Sequence, residues 1–189
     1  HAKIVIPLIE AGKHILCEKP LTKDMSEAYL IQQHLTKSNI TFQCGFNHRF
    51  HPGIMETKKI IEQSKIGKVL NARCRYGICG RENYSNEWRG NKSIATGGQL
   101  MELGIHPIDL FHWIIGDIKE VSSMVSTSYF KIDPLEDNGM ALLKTENKAL
   151  CFLHASLTQW KNLFSFEITG EEGYTIVEGL GDSYGDQKF

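Results

Sequence analysis

Five strand-like runs follow one another between residues 120 and 178, and they restrict the fold more than any other feature of the sequence. Turn-forming residues separate the runs, among them Asp133 with Pro134 and a Glu-Glu-Gly segment at residues 171–173. Long strands in close succession, with few helices between them, predict a large antiparallel or mixed sheet. The strands predicted here are 120–130, 138–145, 148–157, 163–169 and 174–178.

The first part of the chain follows a different pattern, in which helices alternate with short strands. The elements predicted there are helices at 2–11 and 24–36 and strands at 14–17 and 40–44. This alternation is typical of a parallel α/β sheet, and it indicates the last part of one, with the front part absent. We therefore expect two domains, 1–45 and 46–189, with a boundary near Gly45. The other elements predicted for the second domain are a helix at 52–63, a strand at 69–79, a loop at 84–93 and a helix at 98–115.

Charge and cysteine content exclude several classes of function. The net charge is −1, which gives no electrostatic reason to expect binding to nucleic acid or to an anionic membrane surface. No apolar run approaches the ~20 residues that a membrane-spanning helix needs. The five cysteines are scattered and unpaired in sequence, which favours reduced thiols in the cytoplasm. His48 and His51 lack a third ligand at a suitable spacing, so we expect no metal site.

Glu18, Lys19 and Pro20 directly follow the first predicted strand. In open α/β folds the carboxyl ends of the strands are where ligands bind, so this position would bring Lys19 to a ligand. Proline fixes the local backbone, and Lys19 would then donate a proton or a hydrogen bond to a substrate oxygen. Spacing alone favours the alternative, which is a solvated lysine in a turn.

A second group of candidate residues lies in the predicted helix 98–115. Glu102 and His106 are four residues apart, so in an α-helix they share one face and can touch. A carboxylate beside an imidazole raises the basicity of the ring, which suits a general base near neutral pH. Asp109 adds an acidic group about one turn beyond His106. The alternative is a helix whose polar face meets solvent or an interdomain cleft.

Taken in order, three blocks of the sequence closely resemble the Gfo/Idh/MocA family of NAD(P)-dependent oxidoreductases, which act mainly on sugars and polyols. The blocks read GKHILCEKP, GFNHRFHP and GGQLMELGIHPID, and the resemblance extends over nearly the whole chain. It implies an incomplete Rossmann domain at 1–45, followed by an α+β substrate-binding domain at 46–189. The large sheet of the second domain often forms the oligomer interface in this family, so the resemblance also implies a homo-oligomer.

The resemblance also implies roles for individual residues. Lys19 corresponds to a lysine that contacts the nicotinamide ribose and the substrate, and His106 to the histidine that acts as acid and base on the substrate hydroxyl. Glu102 occupies a position where an aspartate is frequent, so its role is retained with a different reach. The remaining implied contacts are Glu18, Pro20, Asn47 and Arg49 with the cofactor, and Trp88, Arg89 and Asp109 with the substrate.

These expectations describe an enzyme that transfers a hydride between a sugar or polyol hydroxyl and NAD or NADP. The sequence nevertheless lacks the glycine-rich G-x-G-x-x-G loop that holds a dinucleotide diphosphate, since the segment from Gly179 to Gly185 has the wrong spacing. The alternative is a non-catalytic sugar-binding or oligomerisation module without a functional cofactor site. The sequence leaves the exact substrate and the choice between NAD and NADP open.

Overall fold

The computed structural model describes residues 1–189, which form two compact units, His1–Asn47 and His48–Phe189. The first unit contains a small parallel sheet, and the second contains a large mixed sheet. None of the helices is long and apolar enough to cross a lipid bilayer.

The first unit is a two-stranded parallel sheet with two helices, and its order is helix, strand, helix, strand. Cys17 pairs with Cys44 at the carboxyl end of both strands. Asp24 caps the second helix, and its carboxylate accepts a hydrogen bond of 2.9 Å from the Glu27 backbone N–H. The elements are α1 (Ala2–Glu10), β1 (Ile15–Cys17), α2 (Met25–Leu35) and β2 (Phe42–Cys44). Their small core consists of Ala2, Val5, Ile9, Cys17 and Ile31.

The second unit is built on a six-stranded sheet with the order β4-β5-β6-β3-β7-β8. Only the central pair β3 and β6 is parallel, and the other four pairs are antiparallel. The predicted fold class is therefore confirmed. The elements are α3 (Pro52–Glu62), β3 (Val69–Cys79), α4 (Ile105–Ile114), β4 (Ile118–Ser126), β5 (Asn138–Thr145), β6 (Leu150–Ser156), β7 (Thr158–Gly170) and β8 (Tyr174–Glu178).

One face of the large sheet carries the main hydrophobic core, because side chains alternate between the two faces of a strand. Leu110 and Phe111 of α4 are fully buried there, and Phe111 stacks on Phe166 of β7 with ring centroids 5.6 Å apart. The opposite face is open, and Met124 and Leu142 are exposed on it. The sheet therefore fixes α4 firmly on its core side.

Several predicted element boundaries are wrong. The strand predicted at 163–169 extends from Thr158 to Gly170, so it begins five residues earlier than predicted. The strand predicted at 120–130 ends at Ser126, because the buried Asp137 carboxylate accepts hydrogen bonds from the backbone N–H groups of Ser128, Tyr129 and Phe130. These N–H groups are then unavailable to a β-ladder. The loop predicted at 84–93 contains two short 3₁₀ turns, Tyr84–Asn86 and Trp88–Gly90.

The helix predicted at 98–115 forms, but its first turn is not α-helical. Leu100–Gly104 is a π-helical turn, and the α-helix begins only at Ile105. Glu136 fixes this start, because its carboxylate accepts hydrogen bonds from the Gly98 and Leu100 backbone N–H groups at 3.2 and 3.0 Å. The segment between Glu102 and His106 is therefore partly π-helical and partly α-helical.

Candidate functional site

The carboxyl edge of the small sheet carries the predicted lysine. Because β1 and β2 are parallel and in register, Lys19 and Asn47 follow strands that end side by side. The Lys19–Pro20 peptide is cis, and the Lys19 side chain is half-buried. Gly45 allows a close approach here, because a Cβ at that position would lie 3.2 Å from the Glu18 carboxylate. Glu18, Lys19, Pro20 and Asn47 therefore share one edge of the first unit.

In the second unit, Glu102 lies beside the predicted Trp-Arg pair. The Arg89 Nε atom is 3.8 Å from a Glu102 carboxylate oxygen, and the Arg89 guanidinium lies 4.3 Å from the Trp88 ring centroid. Attraction between a cation and an aromatic face orients Arg89, while the carboxylate offsets its charge. The structure thus brings three predicted substrate contacts, Trp88, Arg89 and Glu102, into one cluster.

His106 is buried at the start of α4, with another imidazole against it. The rings of His48 and His106 are 4.0 Å apart between centroids and tilted by 38°. Both histidines are less than a tenth exposed. Tyr76 of β3 lies 5.2 Å from the His48 ring and 6.2 Å from the His106 ring. The His106 ring is therefore held by packing against more than one aromatic ring.

Tyr76 is a neutral phenol in this cluster. Burial raises the pKa of Tyr76 well above its usual range, and a hydrogen bond to the Tyr184 hydroxyl raises it further. Burial raises the pKa of Tyr184 as well. The two hydroxyls therefore stay protonated at neutral pH, and Tyr76 places an uncharged group beside the His48–His106 pair.

Arg49 and Asp109 form a bidentate ion pair. Arg49 Nε donates to one Asp109 carboxylate oxygen at 2.7 Å, and Arg49 Nη2 donates to the other at 2.5 Å. The Asp109 side chain is only 9% exposed. Sequence reasoning placed these residues separately, one with the cofactor and the other with the substrate, but the structure brings them together.

Two buried residues of the candidate site, His48 and Gln99, could not be identified from the sequence pattern. No spacing pattern in the sequence relates His48 to His106, and its spacing to His51 suggests only a metal ligand. Gln99 is buried and donates a hydrogen bond of 3.1 Å to the Tyr84 hydroxyl, while its own side-chain oxygen has no hydrogen-bond partner. Burial raises the pKa of Tyr84, so its hydroxyl stays protonated beside Gln99. Only the position of Gln99 within the GGQLMELGIHPID block gave a signal.

Two family models match the chain, and between them they account for most of it. The model described as "Oxidoreductase family, NAD-binding Rossmann fold" matches residues 1–46. The model described as "GFO/IDH/MocA C-terminal domain" matches residues 54–176, well over half of the sequence. The chain belongs to the Gfo/Idh/MocA family. The predicted family is therefore confirmed.

Named relatives support the same assignment. Levoglucosan dehydrogenase of Pseudarthrobacter phenanthrenivorans is 35% identical over 147 residues, which are 77% of this chain and 37% of the relative. An inositol 2-dehydrogenase/D-chiro-inositol 3-dehydrogenase of Shouchella clausii is 27% identical over 92% of this chain and 49% of its own length. The solved structure of a levoglucosan dehydrogenase in complex with NADH superposes with a TM-score of 0.89 at 32% identity, covering 94% of this chain and 51% of the other. The chain spans half or less of the length of these curated relatives.

The residues at the edge of the small sheet fit one part of a dinucleotide. The Glu18 carboxylate, the Lys19 ammonium group and the Asn47 amide can hydrogen-bond to hydroxyl and carboxamide groups. The bare backbone at Gly45 leaves room beside them, since a Cβ there would press on Glu18. Residues 1–47 hold only two glycines, Gly12 and Gly45, and so have no glycine loop for the diphosphate. These residues therefore fit hydroxyl and amide groups of a dinucleotide, and not its diphosphate.

Proposed function

We propose that the whole protein is an oxidoreductase that transfers a hydride between a sugar or polyol hydroxyl and a nicotinamide cofactor. The observation that carries this proposal is that His106, which the resemblance assigns as the acid-base histidine, is buried and packs against a second imidazole. The cofactor, when bound, supplies the chemistry that accepts or returns the hydride. Family membership supports NAD or NADP in general, and the names of relatives support a sugar or polyol as substrate.

His106 acts as the base in the direction of alcohol oxidation. One imidazole nitrogen takes the proton of the substrate hydroxyl. At the same time, the hydride leaves the carbon that bears this hydroxyl, so the C–O single bond becomes a carbonyl. In the reverse direction, the imidazolium returns the proton to the alkoxide. Lys19 donates a hydrogen bond to the reacting oxygen and stabilises the negative charge that develops on it.

The cluster of Trp88, Arg89 and Glu102 is proposed to contact the rest of the sugar. Glu102 can accept hydrogen bonds from sugar hydroxyls, and Arg89 can donate them. Trp88 is about half exposed and offers a flat apolar face, which suits the C–H face of a sugar ring. Glu102 lies in a π-helical turn and faces Arg89. We therefore propose that Glu102 binds the substrate in addition to orienting His106.

We also propose that two or more copies associate through the open face of the large sheet. Exposed apolar side chains lie on its outer strands, and Met124 is 84% exposed. An apolar surface of this kind is typical of a face that a partner covers. Light scattering after size exclusion would show a mass of one chain if the oligomer proposal is wrong.

The five free thiols support a reducing compartment, the cytoplasm, as the place of function.

The catalytic proposal is tested by substituting the two central residues in the whole protein. His106→Ala and Lys19→Ala should each lower turnover by about a hundredfold or more on a substrate panel that includes levoglucosan and inositol, assayed with NAD and NADP. His112→Ala and Lys23→Ala are matched controls, because both residues are exposed and lie in the same two regions. Full turnover in both His106→Ala and Lys19→Ala would refute the assignment.

A binding experiment separates the enzyme from the non-catalytic alternative. NADH fluorescence is titrated with the 189-residue chain and with the whole protein. Binding by the whole protein but not by the chain would place the diphosphate site outside these residues, as the absent glycine loop predicts. Absence of binding in both would favour the sugar-binding or oligomerisation module.

A further inference from the structure

We propose that Arg49 and Asp109 form a clamp that positions the His106 imidazole through His48. Both residues are then positioning residues, and neither needs to bind the cofactor or the substrate. The proposal rests on the proposed function, because it concerns the histidine that acts there as acid and base. It is carried by contacts within the second unit.

The ion pair has the geometry of a structural lock. Each Asp109 oxygen accepts a hydrogen bond from a different nitrogen of Arg49, at 2.7 and 2.5 Å, and such fork-like pairs fix orientation as well as distance. The Arg49 guanidinium also lies 5.2 Å from the ring centroid of Trp113, on the same helix as Asp109. Asp109 is nearly buried, so a substrate could reach its carboxylate only by breaking the pair.

The spacing of the contacts links this lock to His106. His48 and Arg49 are consecutive residues of the 3₁₀ turn Asn47–Phe50, and their Cα atoms are about 3.8 Å apart. His106 and Asp109 are three residues apart on α4, which corresponds to a rise of about 4.5 Å along the helix. The two pairs, His48 with His106 and Arg49 with Asp109, therefore lie side by side. The ion pair between Arg49 and Asp109 therefore also holds the His48 ring against the His106 ring.

His48 transmits the constraint because it fills the space between His106 and the sheet. Its ring lies 4.0 Å from the His106 ring on one side. Its other neighbours are Tyr76 of β3 at 5.2 Å and Phe164 of β7 at 5.6 Å, both between ring centroids. If the clamp opens, the turn that carries His48 loses its attachment to α4, and His106 loses a neighbouring ring.

The experiment measures kcat and KM separately for clamp variants of the whole protein. Asp109→Asn should lower kcat about tenfold to a hundredfold and leave the KM values for substrate and cofactor within about twofold, because a small misplacement of the acid-base group affects the chemical step. The exchanged pair Arg49→Asp with Asp109→Arg should recover part of the lost kcat. Lys119→Gln is the control, since it breaks an exposed ion pair with Glu146 elsewhere in the same unit. A raised KM with unchanged kcat would overturn the proposal.

A spectroscopic measurement tests the clamp without substrate. The ring Cε1–H resonance of His106, assigned by its loss in His106→Gln, reports on the neighbouring ring. We expect Asp109→Asn and His48→Ala to shift this resonance in the same direction, with His48→Phe closer to the parent protein. An unchanged resonance in a folded Asp109→Asn variant would overturn the proposal, and His48→Ala against His48→Phe decides it if Asp109→Asn does not fold.

Different results refute the catalytic assignment of His106 and the clamp of Arg49 and Asp109. If both His106→Ala and Lys19→Ala keep full turnover, the catalytic assignment is wrong, whatever the clamp variants do. If His106→Ala abolishes turnover while Asp109→Asn has the kcat of the parent protein, the function stands and only the clamp is refuted.

Discussion

Replacing Asp137 by asparagine tests how the loop between β4 and β5 is held. The Asp137 carboxylate is fully buried and accepts hydrogen bonds from the backbone N–H groups of Ser128, Tyr129 and Phe130 at 2.7–3.0 Å. The Asn138 side chain donates a further bond of 3.0 Å. Burial alone would raise the pKa of Asp137, but these donors outweigh it and lower the pKa.

The size of the expected destabilisation follows from the hydrogen bonds that asparagine cannot accept at position 137. It carries no charge, and one of its two terminal groups is a donor that would face other donors. A hydrogen bond to a charged group contributes about 1.5–3 kcal/mol, and an unsatisfied buried donor costs about 1–3 kcal/mol. We therefore expect Asp137→Asn to lower the free energy of unfolding by about 2–4 kcal/mol at pH 7. Asp133→Asn should change it by less than about 0.5 kcal/mol, because Asp133 is exposed in the same loop.

The pH dependence of the same variant supplies an independent check. Because folding lowers the pKa of Asp137, its contribution is complete above the unfolded-state value of about 3.9 and is lost as the pH falls below it. Urea unfolding between pH 7 and pH 3 should thus show the difference between Asp137→Asn and the parent protein shrinking in acid. A difference below about 0.5 kcal/mol at pH 7, or one that grows in acid, would refute the reasoning.

Two further predictions concern titrating groups elsewhere in the chain. Burial lowers the pKa of His51, so the free energy of unfolding should fall as the pH drops below about 6.5, and His51→Leu should reduce that fall in urea unfolding at pH 7.5 and 5.5. Equal falls in both proteins would contradict this. With a thiol reagent, the exposed Cys79 should react in the native protein, whereas Cys74 and Cys151 should react only in denaturant. Burial raises the pKa of Cys151 to about 12, and rapid native reaction there would contradict the structure.

Much of the fold could be predicted because its signals are local. The strands Asn138–Thr145 and Tyr174–Glu178 have the bounds that alternation and turn residues predict. The strand end at Ser126 could not be predicted, because it depends on a carboxylate eleven residues later that takes the backbone donors. The π-helical turn at Leu100–Gly104 likewise begins where Glu136, which lies far along the chain, binds the backbone.

The same distinction explains which parts of the candidate site the sequence could reveal. Lys19 and His106 lie in sequence blocks whose order and spacing along the chain resemble one family, so both could be named from the sequence. The partners of Arg49 and His48 lie 58–60 residues further along the chain, and no periodicity relates residues at such a distance. Their roles depend on the sheet that holds α4 against the 3₁₀ turn. Motif spacing can therefore propose an acid-base histidine, whereas the groups that orient it are defined only by tertiary packing.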